Sequence, residues 1–358
     1  MLSNRFGGIG QVYLDYNEAL TGKGHAVLAI CHRDCVWSEA TDRQARILPG
    51  LETGSVAAKG GPLALWTAWS LRRRVRRFDP DVIVIHNYVR LGLLACRGLA
   101  PTVAVTHMYK SKHFEKFDAV LALTPELRTR CAGAGVLADR IHLVPNFIAG
   151  PFPTPAFRPD AIPPVVIGAL GRLDHVKGYR YLIEASALLR DRGVPHKILL
   201  GGTGFEEANL RRQVAGAGLE TTCEFLGYVA DKADFFGRID LFCIPSLEEP
   251  FGLTVLEGMK FGKPIVATQV GGPASILTHG HDALLVPPRN APALADALAA
   301  LIADPTRARD LAATAAQTVR ERYALGVVAK TLEKTLMLVA EKTGDGNRPP
   351  SDLSPAAR

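Results

Sequence analysis

The stretch "LFCIPSLEEPFGLTVLEGMKFGKPIVAT", residues 241–268, decides how the chain folds, because its hydrophobic period changes twice. "LFCIPS" (241–246) is a short apolar run rich in β-formers and reads as a buried strand, whereas "LTVLEGMKFG" (253–262) has Leu253, Leu256 and Met259 or Lys260 at helical spacing. "PIVAT" (264–268) returns to a strand. Strand, tight turn, helix, strand is the unit from which covered parallel sheets are built.

Two acids, Glu249 and Glu257, lie in this unit eight positions apart. Eight helical steps of about 100° would leave them roughly 80° apart, so one helix face does not hold both. Glu249 is expected in the loop at the strand's carboxyl end, and Glu257 little more than one turn inside the helix. The amides of Phe251, Gly252, Leu253 and Thr254 fall at the helix start, where orphan N–H groups and the dipole favour an anion. Carboxylates accept hydrogen bonds from sugar hydroxyls strongly. A nucleotide-sugar offers both chemistries, a diphosphate for the helix start and hydroxyl-bearing rings on either side. The plainer alternative makes Glu257 an ordinary acid near a helix start and Glu249 a solvated loop residue.

The same unit recurs along the chain. "HAVLAIC" (25–31), "DVIVIH" (81–86), "TVAVTH" (102–107) and "AVLALT" (119–124) are short continuous apolar runs, with helical patterns between several of them. Runs of that kind belong to a parallel sheet covered on both faces. After the proline-rich "PFPTPAFRPDAIPP" (151–164) the pattern restarts with "VVIGALG" (165–171), "HKILLGG" (196–202), "CEFLG" (223–227), the two runs above and "ALLVPP" (283–288). Prolines at that density stiffen a linker. The expectation is an α/β protein of two doubly wound, Rossmann-like domains facing across a cleft at the carboxyl ends of their strands. Residues 1–155 and 156–325 form the two domains, 326–342 a C-terminal helix packing back on the first, and 343–358 a flexible tail.

Composition narrows the function. A chain of 358 residues, 47% hydrophobic and 22% charged, is long enough for two cores. No run of eighteen apolar residues occurs and "MLSNRFGG" has no signal-peptide core, so a cytoplasmic location is expected. The six cysteines are scattered, without paired CxxC groups, and read as buried thiols. The formal charge of +7 comes wholly from residues 1–155, which hold 19 Lys and Arg against 12 Asp and Glu, while 156–358 hold 23 of each. An anionic partner for the first domain follows. The densest part is "WTAWSLRRRVRRFDPD" (66–81), with five arginines and two tryptophans. It reads either as an interface-seeking helix on anionic lipid or as a surface helix packed on a sheet, its arginine stems snorkelling.

Other strand ends carry chemistry. "GRLDHVKGY" (171–179) sets Arg172 and Lys177 just after a strand, a planar fork and a point charge suited to diphosphate. "GGTGFEEANL" (201–210) and "FGGIGQVYLDYNEAL" (6–20) are glycine turns leading into helices. Neither is a Walker motif, and a lone glycine loop is weak evidence.

Taken in order, "GGIG", "LVPNFI", "GRLDHVKG", "EPFGLTVLE" and "GKPIVATQVGG" resemble the family 4 glycosyltransferases of GT-B fold, over about residues 4–340. The resemblance implies retaining sugar transfer from a nucleoside-diphosphate sugar, with no cofactor and no metal, residues 1–155 forming the acceptor-side domain and 156–325 the donor-binding one. It implies that Arg172 and Lys177 bind the diphosphate and stabilise the leaving group, that Glu257 holds the ribose, and that Glu249 holds the transferred sugar. Amides at Phe251, Gly252 and Leu253 would touch sugar or phosphate, Gly8 would let its loop approach the diphosphate, and His107 would lie near the sugar. Only "MLSNRF" precedes Gly7 where the family has a buried strand, so a truncated first strand is expected. Ala149 stands where the family usually shows an acid. The expected partners are the nucleotide-sugar donor, an envelope glycan or glycolipid acceptor such as a lipopolysaccharide core or lipid-linked glycan, and a peripheral contact with anionic membrane at its inner face, but not nucleic acid. The other functions considered are a sugar-nucleotide epimerase of the same fold and a non-catalytic nucleotide-sugar-binding protein.

Overall fold

A computed structural model describes residues 8–32, 38–56, 63–109, 112–153 and 164–344. Three expectations lie outside these residues: the truncated first strand before Gly7, the domain junction at 155/156, and the tail 343–358 beyond its first two residues, which continue the C-terminal helix. The chain divides into two compact units, Met1–Val144 with Val328–Arg358, and Pro145–Val327.

In the first unit β1 (Val27–His32) pairs in parallel with β2 (Leu51–Val56). A separate parallel sheet holds β3 (Ile83–Ile85), β4 (Thr102–Val105), β5 (Ala119–Ala122) and β6 (Ile141–Leu143), in that order. β4 and β5 are buried at every position, as their unbroken apolar runs require. β2 breaks the expected pattern, because "LETGSV" carries Glu52, Thr53 and Ser55; its pairing with β1 makes the strand, and only Leu51, Gly54 and Val56 face inward. The helix Leu63–Phe78 packs Ala68, Leu71 and Val75 inward. Of its arginines, Arg72 donates to the carbonyls of Ala95 and Arg97, each at 3.0 Å. The C-terminal helix Leu325–Gly344 counts with this unit from Val328 onward, and its Glu333 pairs with Lys23 at 3.3 Å and His25 at 3.0 Å.

The second unit is one six-stranded parallel sheet of β7 (Val165–Leu170), β8 (His196–Gly201), β9 (Cys223–Gly227), β10 (Leu241–Ile244), β11 (Ile265–Thr268) and β12 (Leu284–Val286). Their spatial order is β12-β11-β10-β7-β8-β9. The chain builds outward from β7 through β9, returns to the other side of β7, and builds outward again. Read from β9, this is the strand order of the doubly wound dinucleotide-binding fold, whose order reverses between β7 and β10. Helices Tyr179–Asp191 and Ala291–Ala303 close one face with Leu182, Ile183, Leu189, Leu294 and Leu298, all buried against Ile167, Ile198 and Leu200. The five described cysteines, Cys31, Cys96, Cys131, Cys223 and Cys243, are buried.

At the reversal point the loop after β7 rests on the loop after β10. Leu247 donates its amide to the Val176 carbonyl at 2.7 Å. Gly178 has φ 66°, and a Cβ there would stand 2.0 Å from the Pro245 carbonyl oxygen. Only glycine fits both the backbone angle and the gap. Gly193 has a similar φ of 69° with nothing within 4 Å of the same atom. Gly193→Ala should therefore lose only the left-handed penalty of about 1–2 kcal/mol, while Gly178→Ala should lose that and a further 1–3 kcal/mol, roughly, for overpacking. Urea unfolding of the two variants measures the difference, and equal losses would show that the loops do not depend on this contact.

Candidate functional site

The reversal between β7 and β10 opens a crevice at the carboxyl ends of the strands in any sheet of this order. Seven of the expected site residues follow those ends in the second unit. Arg172 comes two residues after β7, its guanidinium 2.8 Å from Asp174, and stays more than half exposed. Lys177 closes the same loop and forms an ion pair with Glu249, in the loop after β10. Glu249 is only 8% exposed, which rules out the solvated loop acid. Its carbonyl is held by the Gly272 amide at 2.7 Å, so the acid sits on a fixed main chain.

Phe251 is buried, and Gly252 ends the loop with φ 88° and ψ 72°. A Cβ at Gly252 would lie 3.0 Å from the Glu249 side chain, so glycine serves both the turn and the acid. The helix Leu253–Lys260 then begins without a side-chain cap and with no acid in its first turn. Its amides are left for an anion. Glu257 lies in the second turn, 6% exposed. It pairs with Lys232 at the start of helix Lys232–Arg238, a residue the sequence reading passed over within "GYVADKADF". The two acids of the opening stretch thus belong to two lysines, Glu249 to Lys177 and Glu257 to Lys232. The second carboxylate oxygen of Glu257, Oε2, is buried without a hydrogen-bond partner.

Tyr179 follows the Lys177 loop and is buried. Burial raises its phenol well above the usual value, and the charges of Glu249 and Asp174 add to this, so it stays a neutral donor.

Gly8 and His107 belong to the first unit. Gly8 starts the helix Gly8–Thr21 and is exposed. His107 follows β4 by two residues, and its Nε2 lies 3.0 Å from Nδ1 of His86, which directly follows β3. The rings stack with centroids 5.2 Å apart. Tyr13 and Tyr16 of the Gly8–Thr21 helix set their rings edge-on to His86, at 5.9 and 4.7 Å. His86 thus links the glycine-initiated helix to His107. The sequence reading stopped at His86 only as the end of an apolar run, because the adjacency of β3 and β4 is not written in either run. Burial lowers both imidazoles, His107 to about 3, and His86 well below its ordinary value with His107 adding to the effect. Both rings are neutral at pH 7, so one nitrogen of the pair donates and the other accepts.

A model of the glycosyl transferases group 1 matches residues 159–318, and one of glycosyltransferase family 4 matches residues 6–149. The lipopolysaccharide core biosynthesis glycosyltransferase LpsD of Rhizobium meliloti is 26% identical over 323 residues, covering 88% of this chain and 91% of that protein. A D-inositol 3-phosphate glycosyltransferase of Pseudarthrobacter chlorophenolicus is 35% identical over 208 residues, covering 54% of this chain and 50% of that one. The crystal structure of Anabaena HepE in complex with UDP-glucose superposes with a TM-score of 0.79 at 21% identity, covering 94% of this chain and 98% of that chain. At that identity the likeness is one of fold.

The histidine pair carries a pH signature. An unfolded histidine titrates near 6.5, whereas His107 in the folded chain titrates at about 3. Its folded value is depressed, so the unfolded chain binds the extra proton below about pH 6.5, and stability falls as pH drops from there towards 3. The slope from this group is at most about 1.4 kcal/mol per pH unit. His107→Gln should flatten the fall in urea-unfolding free energy between pH 6.5 and 4 relative to the wild type. Parallel profiles would mean that His107 is as free to protonate in the folded chain as in the unfolded one.

Proposed function

We propose, for a chain that belongs to the family 4 glycosyltransferases of GT-B fold, retaining transfer of a sugar from a nucleoside-diphosphate sugar to an envelope glycan or glycolipid. The observation that carries this is the grouping of Arg172, Lys177, Glu249 and the uncapped start of Leu253–Lys260 at the sheet's reversal point. In this reading the diphosphate lies against Arg172, Lys177 and the amides of Phe251, Gly252 and Leu253. Glu257 accepts from the ribose and Glu249 from the transferred sugar. The bond from the anomeric carbon to the phosphate oxygen breaks, and the departing phosphate takes the proton of the acceptor hydroxyl. That hydroxyl oxygen forms the new glycosidic bond on the same face. Charge grows on the leaving phosphate, so preorganised cations supply most of the acceleration, and the reading requires neither metal nor cofactor.

An acceptor of the lipopolysaccharide-core or lipid-linked kind is supported by the name of the R. meliloti relative and by the first part's excess of positive charge. The helix Leu63–Phe78 adds a surface for it. Leu65, Trp66 and Trp69 are more than half exposed, and Arg73, Arg76 and Arg77 are exposed beside them. Exposed indoles beside arginines suit the interface of an anionic leaflet, and the reading places the protein at the inner face of the membrane. No described helix is long and apolar enough to cross one.

A thermal-shift screen with UDP, GDP, ADP, dTDP and CMP identifies the base, since ligand at 100 times its dissociation constant adds about 2.7 kcal/mol. Kinetics then separate the acids. Glu257→Gln should weaken nucleotide-sugar and free nucleotide alike. Glu249→Gln should leave nucleotide affinity nearly intact and act on turnover, because the sugar changes charge in the transition state. Nucleotide affinity lost on Glu249→Gln and kept on Glu257→Gln would reverse the roles. Turnover should survive EDTA, and a loss restored by Mn²⁺ would contradict the all-cation diphosphate site. Epimerised donor, or binding without turnover, would replace transfer altogether.

A further inference from the structure

We infer that Lys232 is a positioning residue for nucleotide recognition, orienting Glu257 so that its carboxylate discriminates a ribose from a deoxyribose. This rests on the reading of Glu257 as the ribose acceptor. Glu257 is 6% exposed, and burying a carboxylate is costly unless something pairs with it. Lys232 does so on Oε1, from a different helix. The pair uses one of roughly four lone-pair directions that an ionised carboxylate offers. Oε2 remains buried and unpartnered, an arrangement that is unfavourable unless a donor arrives. The partner that fits is neutral and carries hydroxyl donors, because a second cation is not needed and a phosphate would be repelled.

A hydroxyl donates to a carboxylate about twice as strongly as to a neutral acceptor. Lys232 is suited to orient the carboxylate without blocking the site, since its side chain is 44% exposed at the first residue of its helix and can follow the carboxylate as a ligand enters. The selectivity is therefore not a property of Glu257 alone. It belongs to the pair.

Calorimetry with UDP, GDP and ADP and their 2′-deoxy forms tests this, using the full chain. The wild type should prefer the ribo form of its nucleotide by about tenfold, the loss expected for one hydrogen bond to a charged group. Lys232→Met should bring the preference to within about twofold and weaken the ribo form, while Lys232→Arg should retain the preference. Lys232 is half-exposed, and an unchanged thermal midpoint without ligand keeps a folding defect from being read as selectivity. If Lys232→Met weakens both forms equally, Lys232 acts on the phosphates and the inference fails. If it tightens both, Lys232 competes with the nucleotide, and the inference fails likewise. A wild type without any ribo preference, or without affinity for any of the three, would instead overturn the ribose reading of Glu257. Glu257→Gln locates that second failure, since it should remove the preference whatever Lys232 does.

Discussion

The pairing of β10 beside β7 is the constraint on which the second unit's chemistry depends. Leu241 stands opposite Ile167 and Phe242 opposite Gly168, although about 75 residues separate the two strands in the chain. No side chain of the site makes that pairing; buried main chain must hydrogen-bond somewhere, and parallel strands satisfy it. Once made, it sets the loops carrying Lys177 and Glu249 against each other, and the amide of Leu247 on the Val176 carbonyl, together with the gap that only Gly178 fits, fixes their separation. The ion pair is thus a consequence of sheet order. Reversing cause and effect would ask one partly buried salt bridge to organise the fold, which such pairs do poorly once desolvation is counted.

Legibility in the sequence followed burial. Runs such as "AVLALT" and "LFCIPS" are apolar throughout because both faces of a parallel strand are covered, and each contains a strand of the structure, β5 and β10. β2 was hidden because "LETGSV" is half polar, with exposed positions at Glu52, Thr53 and Ser55. β6 was hidden by brevity, three residues with His142 in the middle. The same division runs through the site. Arg172, Lys177, Glu249 and Glu257 were legible because each lies within a few residues of a recognisable strand–turn–helix boundary. Lys232 and His86 were not, since what marks each is a neighbour 25 or 21 residues away, brought near by the order of strands.

In the proposed reading, electrostatics explain why two acids can flank a diphosphate at all. A carboxylate beside an incoming diphosphate repels it, and at the effective dielectric of a protein surface two unit charges 4 Å apart interact by about 4 kcal/mol. Here each acid already has a lysine, so the ligand would meet two neutral pairs, the exposed guanidinium of Arg172 with its partner Asp174, and the start of a helix. Lys177 faces the harder demand, because a bound phosphate and Glu249 would share one ammonium with three donors. Sharing is tolerable while the sugar's hydroxyls bind Glu249, since they supply donors the lysine gives up. A nucleotide lacking the sugar leaves Glu249 wholly dependent on Lys177. In the proposed reading the same residues would therefore grip an intact donor and a spent one differently, through a single shared lysine.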